Sequence, residues 1–169
     1  MQISKQSNIY RLNHQHFLPL SIEQAWRFIS TPQNLQKITP KELDFKITSP
    51  VTDEIYSGQI ITYSIRLNKA IKMNWVTEIT HLDEGTSFVD EQRFGPYKMW
   101  HHLHTLEKVK GGVLMTDTVH FKLPMFWLAP LIYRLYVKRN LTAIFEYRTT
   151  KLDALLSSAD TQQKFNPIN

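Results

Sequence analysis

At 169 residues the chain is long enough for one domain with a proper core. It is 42% hydrophobic and 21% charged, which excludes a disordered chain, and it has no cysteine, which excludes disulfides, zinc–thiolate sites and cysteine nucleophiles. The net charge is +5, but Lys and Arg are scattered with no basic block, zinc-finger spacing or aromatic RNA-binding signature, so no nucleic-acid partner is expected.

Ile9 to Leu18 alternates loosely between polar and apolar residues and reads as a strand that Pro19 stops. Ser21 then caps a helix, with Gln24 completing a capping box and Ile22, Ala25, Trp26 and Ile29 on one face. Thr31-Pro32 opens a second short helix, with Leu35 and Ile38 inward, and Pro40 ends it. Six further strands follow, over Leu43–Ile47, Gln59–Leu67, Ile71–Thr80, Ser87–Phe94, Lys98–Val109 and Val113–Phe121. Their joints at Asn68-Lys69, Asp83-Glu84-Gly85, Gly95-Pro96 and Gly111-Gly112 are too short for parallel crossovers, so the pattern predicts an antiparallel meander.

After Pro124 the period becomes helical. Leu128, Leu131, Ile132, Leu135, Arg139, Thr142, Phe145, Thr149, Leu152 and Leu156 recur every three or four residues, over about thirty residues in all, far beyond an average helix. The most apolar run, Leu123 to Tyr133, contains Pro124 and Pro130 and has about half the length needed to span a bilayer. Nothing at the N-terminus reads as a secretory signal, and a cytoplasmic protein is expected. The cluster Met125-Phe126-Trp127-Leu128 reads as a cavity lid or core in preference to a membrane contact. Residues 1–157 are expected to form one domain and 158–169 a polar, frayed tail.

The order of strand, two short helices, six strands and a long helix resembles the START-like (SRPBCC) superfamily, which includes polyketide cyclase/dehydrase-type proteins and birch-pollen-allergen-like ligand carriers. The opening Leu18-Pro19-Leu20-Ser21-Ile22-Glu23-Gln24-Ala25-Trp26, the run Phe88-Val89-Asp90-Glu91-Gln92, Gly95-Pro96-Tyr97, and then Trp100, His102 and His104 carry the resemblance. So do Asp117, Leu123-Pro124 and Ile144-Phe145-Glu146-Tyr147-Arg148. The resemblance implies an α+β helix-grip fold, a seven-stranded curved antiparallel sheet (β-α-α-β6-α) around the long C-terminal helix, with a ligand tunnel between them. It implies a bacterial stand-alone subgroup, and it does not fix an activity, because this fold hosts carriers, cyclases, hydrolases and regulators.

Strand alternation puts Trp100, His102 and His104 on one face, with Asp90 and Gln92 on the strand before and Asp117 on the strand after. These residues are expected to form a polar floor in an apolar pocket, with Arg139 or Arg148 of the helix available to a carboxylate ligand. Such a cluster reads as a closed hydrogen-bond network, as a ligand-binding set, as an acid–base site with His102 or His104 as the catalytic group, or, least favoured, as a zinc or iron site in which His102 and His104 chelate with Asp90 and Asp117 alongside. His101 and His81 are expected at the surface. No His-Glu-x-x-His helix supports a metal, so no metal or organic cofactor is expected. The leading expectation is a binder of an apolar or amphipathic, lipid- or polyketide-like small molecule. The alternatives are a cyclase/dehydrase-like enzyme and a partner-binding regulator with a vestigial cavity. With a cavity below ~300 Å³ and both histidines fully bonded to protein, the ligand readings would fail together.

Overall fold

The computed structural model describes residues 1–67, 71–124 and 127–157. The Asn68-Lys69 turn, Met125, Phe126 and the 158–169 tail lie outside the described residues. The fold is α+β: an open antiparallel sheet of eight strands with a long C-terminal helix against it. In chain order the strands are β1 (Gln2–Gln6), β2 (Ile9–Leu18), β3 (Lys46–Ile47), β4 (Ile60–Arg66), β5 (Lys72–Asp83), β6 (Ser87–Phe94), β7 (Met99–Val109) and β8 (Gly112–Lys122). They lie side by side in the order β1-β2-β8-β7-β6-β5-β4-β3, so β2 pairs with β8 at the end of the meander while its first strand, β3, forms the opposite edge.

The strand count corrects the expected seven. The extra strand, β1, folds back on β2 through a tight turn at Ser7, whose φ of 55° is left-handed. Its residues are exposed except for a half-buried Ile3, so it lacks the alternation by which a strand is recognised. At the far edge, the strand expected over Leu43–Ile47 shrinks to two residues. Lys41–Leu43 closes a 3-10 turn instead, and Asp44 leaves it with a φ of 41°.

Helix α1 (Ile22–Ile29) starts as expected: Gln24 N–H donates to Ser21 Oγ at 3.2 Å and Ser21 N–H donates to Gln24 Oε1 at 3.0 Å. It buries Ala25, Trp26 and Phe28 over Phe88, Leu106, Val113 and Met115 of the sheet. Helix α2 (Pro32–Lys37) follows at once, with Pro32 in its first turn.

The C-terminal helix runs as α3 (Ala129–Ile132), a π turn (Tyr133–Val137) and α4 (Lys138–Ser157). The wide turn is closed by Lys138 N–H donating to the Tyr133 carbonyl. It resets the helical phase. The buried stripe is Val137, Leu141, Phe145 and Leu152, whereas Leu131 and Leu135 are 54% and 67% exposed. The expected inward row is therefore wrong at Leu131, Leu135 and Arg139, and right at Ile132 and from Phe145 onward. Ile132 and Val137 share the inner side across a five-residue step that a uniform period of three or four cannot reproduce. Trp127 is 69% exposed and does not line the cavity, and Met125 and Phe126 of the same cluster lie outside the described residues. Among the described residues no helix is long and apolar enough to cross a membrane.

Candidate functional site

Two apolar clusters hold the helix on the sheet. One lies under α1 and the end of α4, and the other packs Tyr10, Leu12, Val119 and Phe121 against Val137, Leu141 and Phe145. Between helix and sheet is a cavity of about 230 Å³ that opens to solvent. Its walls are largely apolar: Ile61, Tyr63, Trp75, Ile79, Phe88 and Trp100 from the sheet, Leu35 from α2, and Leu141, Ile144 and Phe145 from α4. Trp75, Tyr97 and Trp100 pack as a triplet with ring centroids 4.7–5.8 Å apart, forming one aromatic wall. The Tyr136 hydroxyl donates to the Leu67 carbonyl and ties the helix to the end of β4 beside the cavity.

The polar floor is built by strand register. His102 lies directly opposite Asp90 of β6, and His104 lies directly opposite Asp117 of β8. Each histidine also reaches the other acid diagonally, so two imidazoles and two carboxylates close into a four-membered cluster. The diagonal contacts are the hydrogen bonds: His102 Nε2 to Asp117 Oδ1 at 3.0 Å and His104 Nε2 to Asp90 Oδ2 at 2.8 Å. The direct pairs add His102 Nδ1 to Asp90 Oδ2 at 3.2 Å and His104 Nδ1 to Asp117 Oδ1 at 2.9 Å. Asp90, His102 and His104 face the cavity, whereas Asp117, 1% exposed, lies outside its lining.

Burial pushes the His102 imidazole down, but the Asp90 charge and the bonds to Asp117 and Asp90 outweigh it and bring its pKa up to about 9. Burial likewise works to raise both carboxyls, and the facing histidines overcome it, holding Asp90 and Asp117 below the usual carboxylate range. The balance at His102 therefore favours the imidazolium, with each ring nitrogen facing a carboxylate, and a proton must leave before the ring can act as a base or a ligand.

The sequence-predicted site residues divide. Asp90, Trp100, His102, His104 and Asp117 come together as expected. Gln92 does not join them: its amide donates to the Tyr97 carbonyl at 2.7 Å and accepts from the Tyr97 N–H at 3.2 Å, clamping the Gly95-Pro96 turn. Arg139 is exposed and off the cavity because of the helical phase shift, whereas Arg148 is on the wall. The Arg148 guanidinium sits 5.0 Å from the Phe145 ring centroid, and its Nε is buried without a hydrogen-bond partner among the described residues. His101 is on the outer face against Glu91 at 2.8 Å, and His81 is exposed, both as expected.

His14 was missed. It lies opposite Asp117 on β2 and bonds Thr149 of α4 at 3.0 Å, and burial lowers its pKa against the pull of Asp117. Its alternation with Tyr10, Leu12 and Leu18 on the inward face of β2 is the signal that locates it.

No family model and no curated protein matches the chain. Solved structures do, and they define the class of fold. Protein Ms6760 from Mycobacterium smegmatis superposes with a TM-score of 0.64 at 15% identity, over 93% of this chain and 97% of that one. Ara h 8.0201, a Bet v 1-like protein, gives 0.56 at 14% identity, over 86% and 99%. The nucleoside-diphosphate sugar epimerase from Corynebacterium glutamicum gives 0.61 at 24% identity, over 86% of this chain but only 29% of that protein. The neighbours are small helix-grip-like α+β folds, and at these identities the likeness is one of fold.

Proposed function

We propose that this is a START-like ligand-binding domain that holds a small amphipathic molecule, its apolar body in the cavity and its anionic group on Arg148. The observation that carries the reading is the Arg148 guanidinium, placed on an apolar wall with its buried Nε unsatisfied. A buried donor without a partner is costly, and a carboxylate or phosphate supplies the missing bond with opposite charge. The cavity also narrows the ligand. At about 230 Å³ it lies below the ~300 Å³ at which drug-sized sites begin. Together with the bonded histidines, this meets the condition under which the ligand readings fail. A lipid- or polyketide-like ligand held on the histidine floor is therefore given up, and the ligand is confined to a small anion held by Arg148. The partner-binding alternative, with a vestigial cavity, takes its support from the same volume.

Calorimetric titration with benzoate, phenylpropionate and octanoate, each beside its uncharged amide, separates the two. The acids bind the wild-type protein, and Arg148→Gln weakens them about tenfold or more, as expected for a charge-assisted bond of roughly 1.5–3 kcal/mol. Acids and amides that bind alike, acids indifferent to Arg148→Gln, or no binding at all would remove the proposal and leave the partner-binding reading.

A further inference from the structure

We infer that Asp90, His102 and His104 form a binding site for one divalent transition metal, of the zinc or ferrous kind, with Asp117 as its supporting carboxylate. The candidate ligand atoms of the three residues all lie within 4.8 Å of one another. Asp90 Oδ2 is 3.2 Å from His102 Nδ1 and 2.8 Å from His104 Nε2. Ligands at ~2.0–2.1 Å from one metal, at angles between octahedral and tetrahedral, stand roughly 3.0–3.4 Å apart. Both Asp90 contacts are within tenths of an ångström of that spacing, and the two imidazole nitrogens, within 4.8 Å, close in on the ion.

The ring nitrogens left over carry the argument further. His102 Nε2 is hydrogen-bonded to Asp117 Oδ1 at 3.0 Å, and His104 Nδ1 lies 2.9 Å from the same oxygen. One buried carboxylate therefore fixes the orientation of both imidazoles from behind. Metal-bound histidines are typically held this way, by a carboxylate on the nitrogen that does not ligate. The two carboxylates also match the charge of a divalent cation. All three ligands face the cavity and Asp117 does not, so three protein ligands stand on one side and a coordination position is left open toward the cavity. Three protein ligands with an open position is the arrangement of a reactive centre, whereas a structural metal is closed by four. The two-apart spacing of His102 and His104 allows this site but does not single it out, because its ligands come from two strands and no helix carries a histidine pair. The inference stands on the floor of the cavity and not on Arg148, so it survives or fails apart from the anion reading.

The test is calorimetric titration of Zn²⁺ into EDTA-stripped full-length protein, with Co²⁺ absorption as the spectroscopic probe. One equivalent is expected, with a Kd below about 10 μM. Asp90→Asn and His104→Gln should each abolish it, and Asp117→Asn should weaken it by about 10–100-fold. The double variant His101→Gln/His120→Gln, on the outer face, should leave it intact. The absence of a stoichiometric equivalent would overturn the assignment, as would an equivalent kept in the Asp90 and His104 variants or lost in the outer-face variant. Should the inner variants fail to fold by circular dichroism, X-ray absorption of the Co²⁺-loaded wild type decides: two imidazoles in the first shell support the site, and none or one overturns it.

Discussion

Asp117→Asn is expected to lose roughly 3–5 kcal/mol of unfolding free energy, a large fraction of what such a domain has. Asp117 is 1% exposed and bonds one histidine while touching another. Removing its charge leaves the His102 imidazolium, 5% exposed on the cavity floor, with Asp90 as its remaining carboxylate partner. The cost comes from that under-compensated charge more than from the lost bond, since an intact buried pair contributes little over an apolar substitute. A double-mutant cycle with His102→Gln should accordingly show a coupling above about 1 kcal/mol, read from urea midpoints. A loss below about 1 kcal/mol, or additive effects, would mean that the cluster is open to water and uncharged.

Leu141→Ala is expected to cost about 2–5 kcal/mol and Leu135→Ala less than about 0.5 kcal/mol, although both are leucines on one helix within two turns. Leu141 is 4% exposed between Val137 and Phe145, and Leu135 is 67% exposed. The pair tests the phase set by the π turn directly. Equal losses, or the reverse order, would restore the uniform helical period that the apolar sequence pattern favours.

That helix shows how far local pattern reaches. Leu128, Leu131 and Leu135 form a persuasive apolar row, yet the five-residue step from Ile132 to Val137 turns the row outward and carries Arg139 with it. A π turn has no sequence signature, because it answers to packing against the sheet. Strand periodicity was more dependable: alternation alone brought Asp90, His102, His104 and Asp117 to one face, since a side chain's face on a strand depends only on parity. It failed at Gln92, where β6 meets a register shift between Val76 and Thr77 and its amide is drawn onto Tyr97 at the turn. The cavity volume was beyond reach from the start. It depends on how Trp75, Tyr97 and Trp100 stack, which pattern does not encode.

The cluster also sets a stability profile. His102 has its folded pKa raised from 6.5 to about 9, so its contribution is complete below pH 6.5 and is lost as pH rises through about 9. The shift corresponds to roughly 3 kcal/mol at most. Asp90 and Asp117 have depressed values, so their contribution is present above the ordinary carboxylate pKa of 3.8 and is lost as pH falls below it. Metal-free protein should therefore be most stable between these limits, with a decline on the alkaline side that Asp117→Asn flattens.

The cost of Asp117→Asn and the pH profile of stability both turn on a charged imidazole buried on the cavity floor. Nitrogen-15 NMR of the histidine rings in EDTA-treated protein, followed from pH 5 to 10, reads it directly. Both His102 nitrogens should remain protonated through pH 8 and titrate near 9. A His102 ring that is neutral at pH 7 would contradict the account.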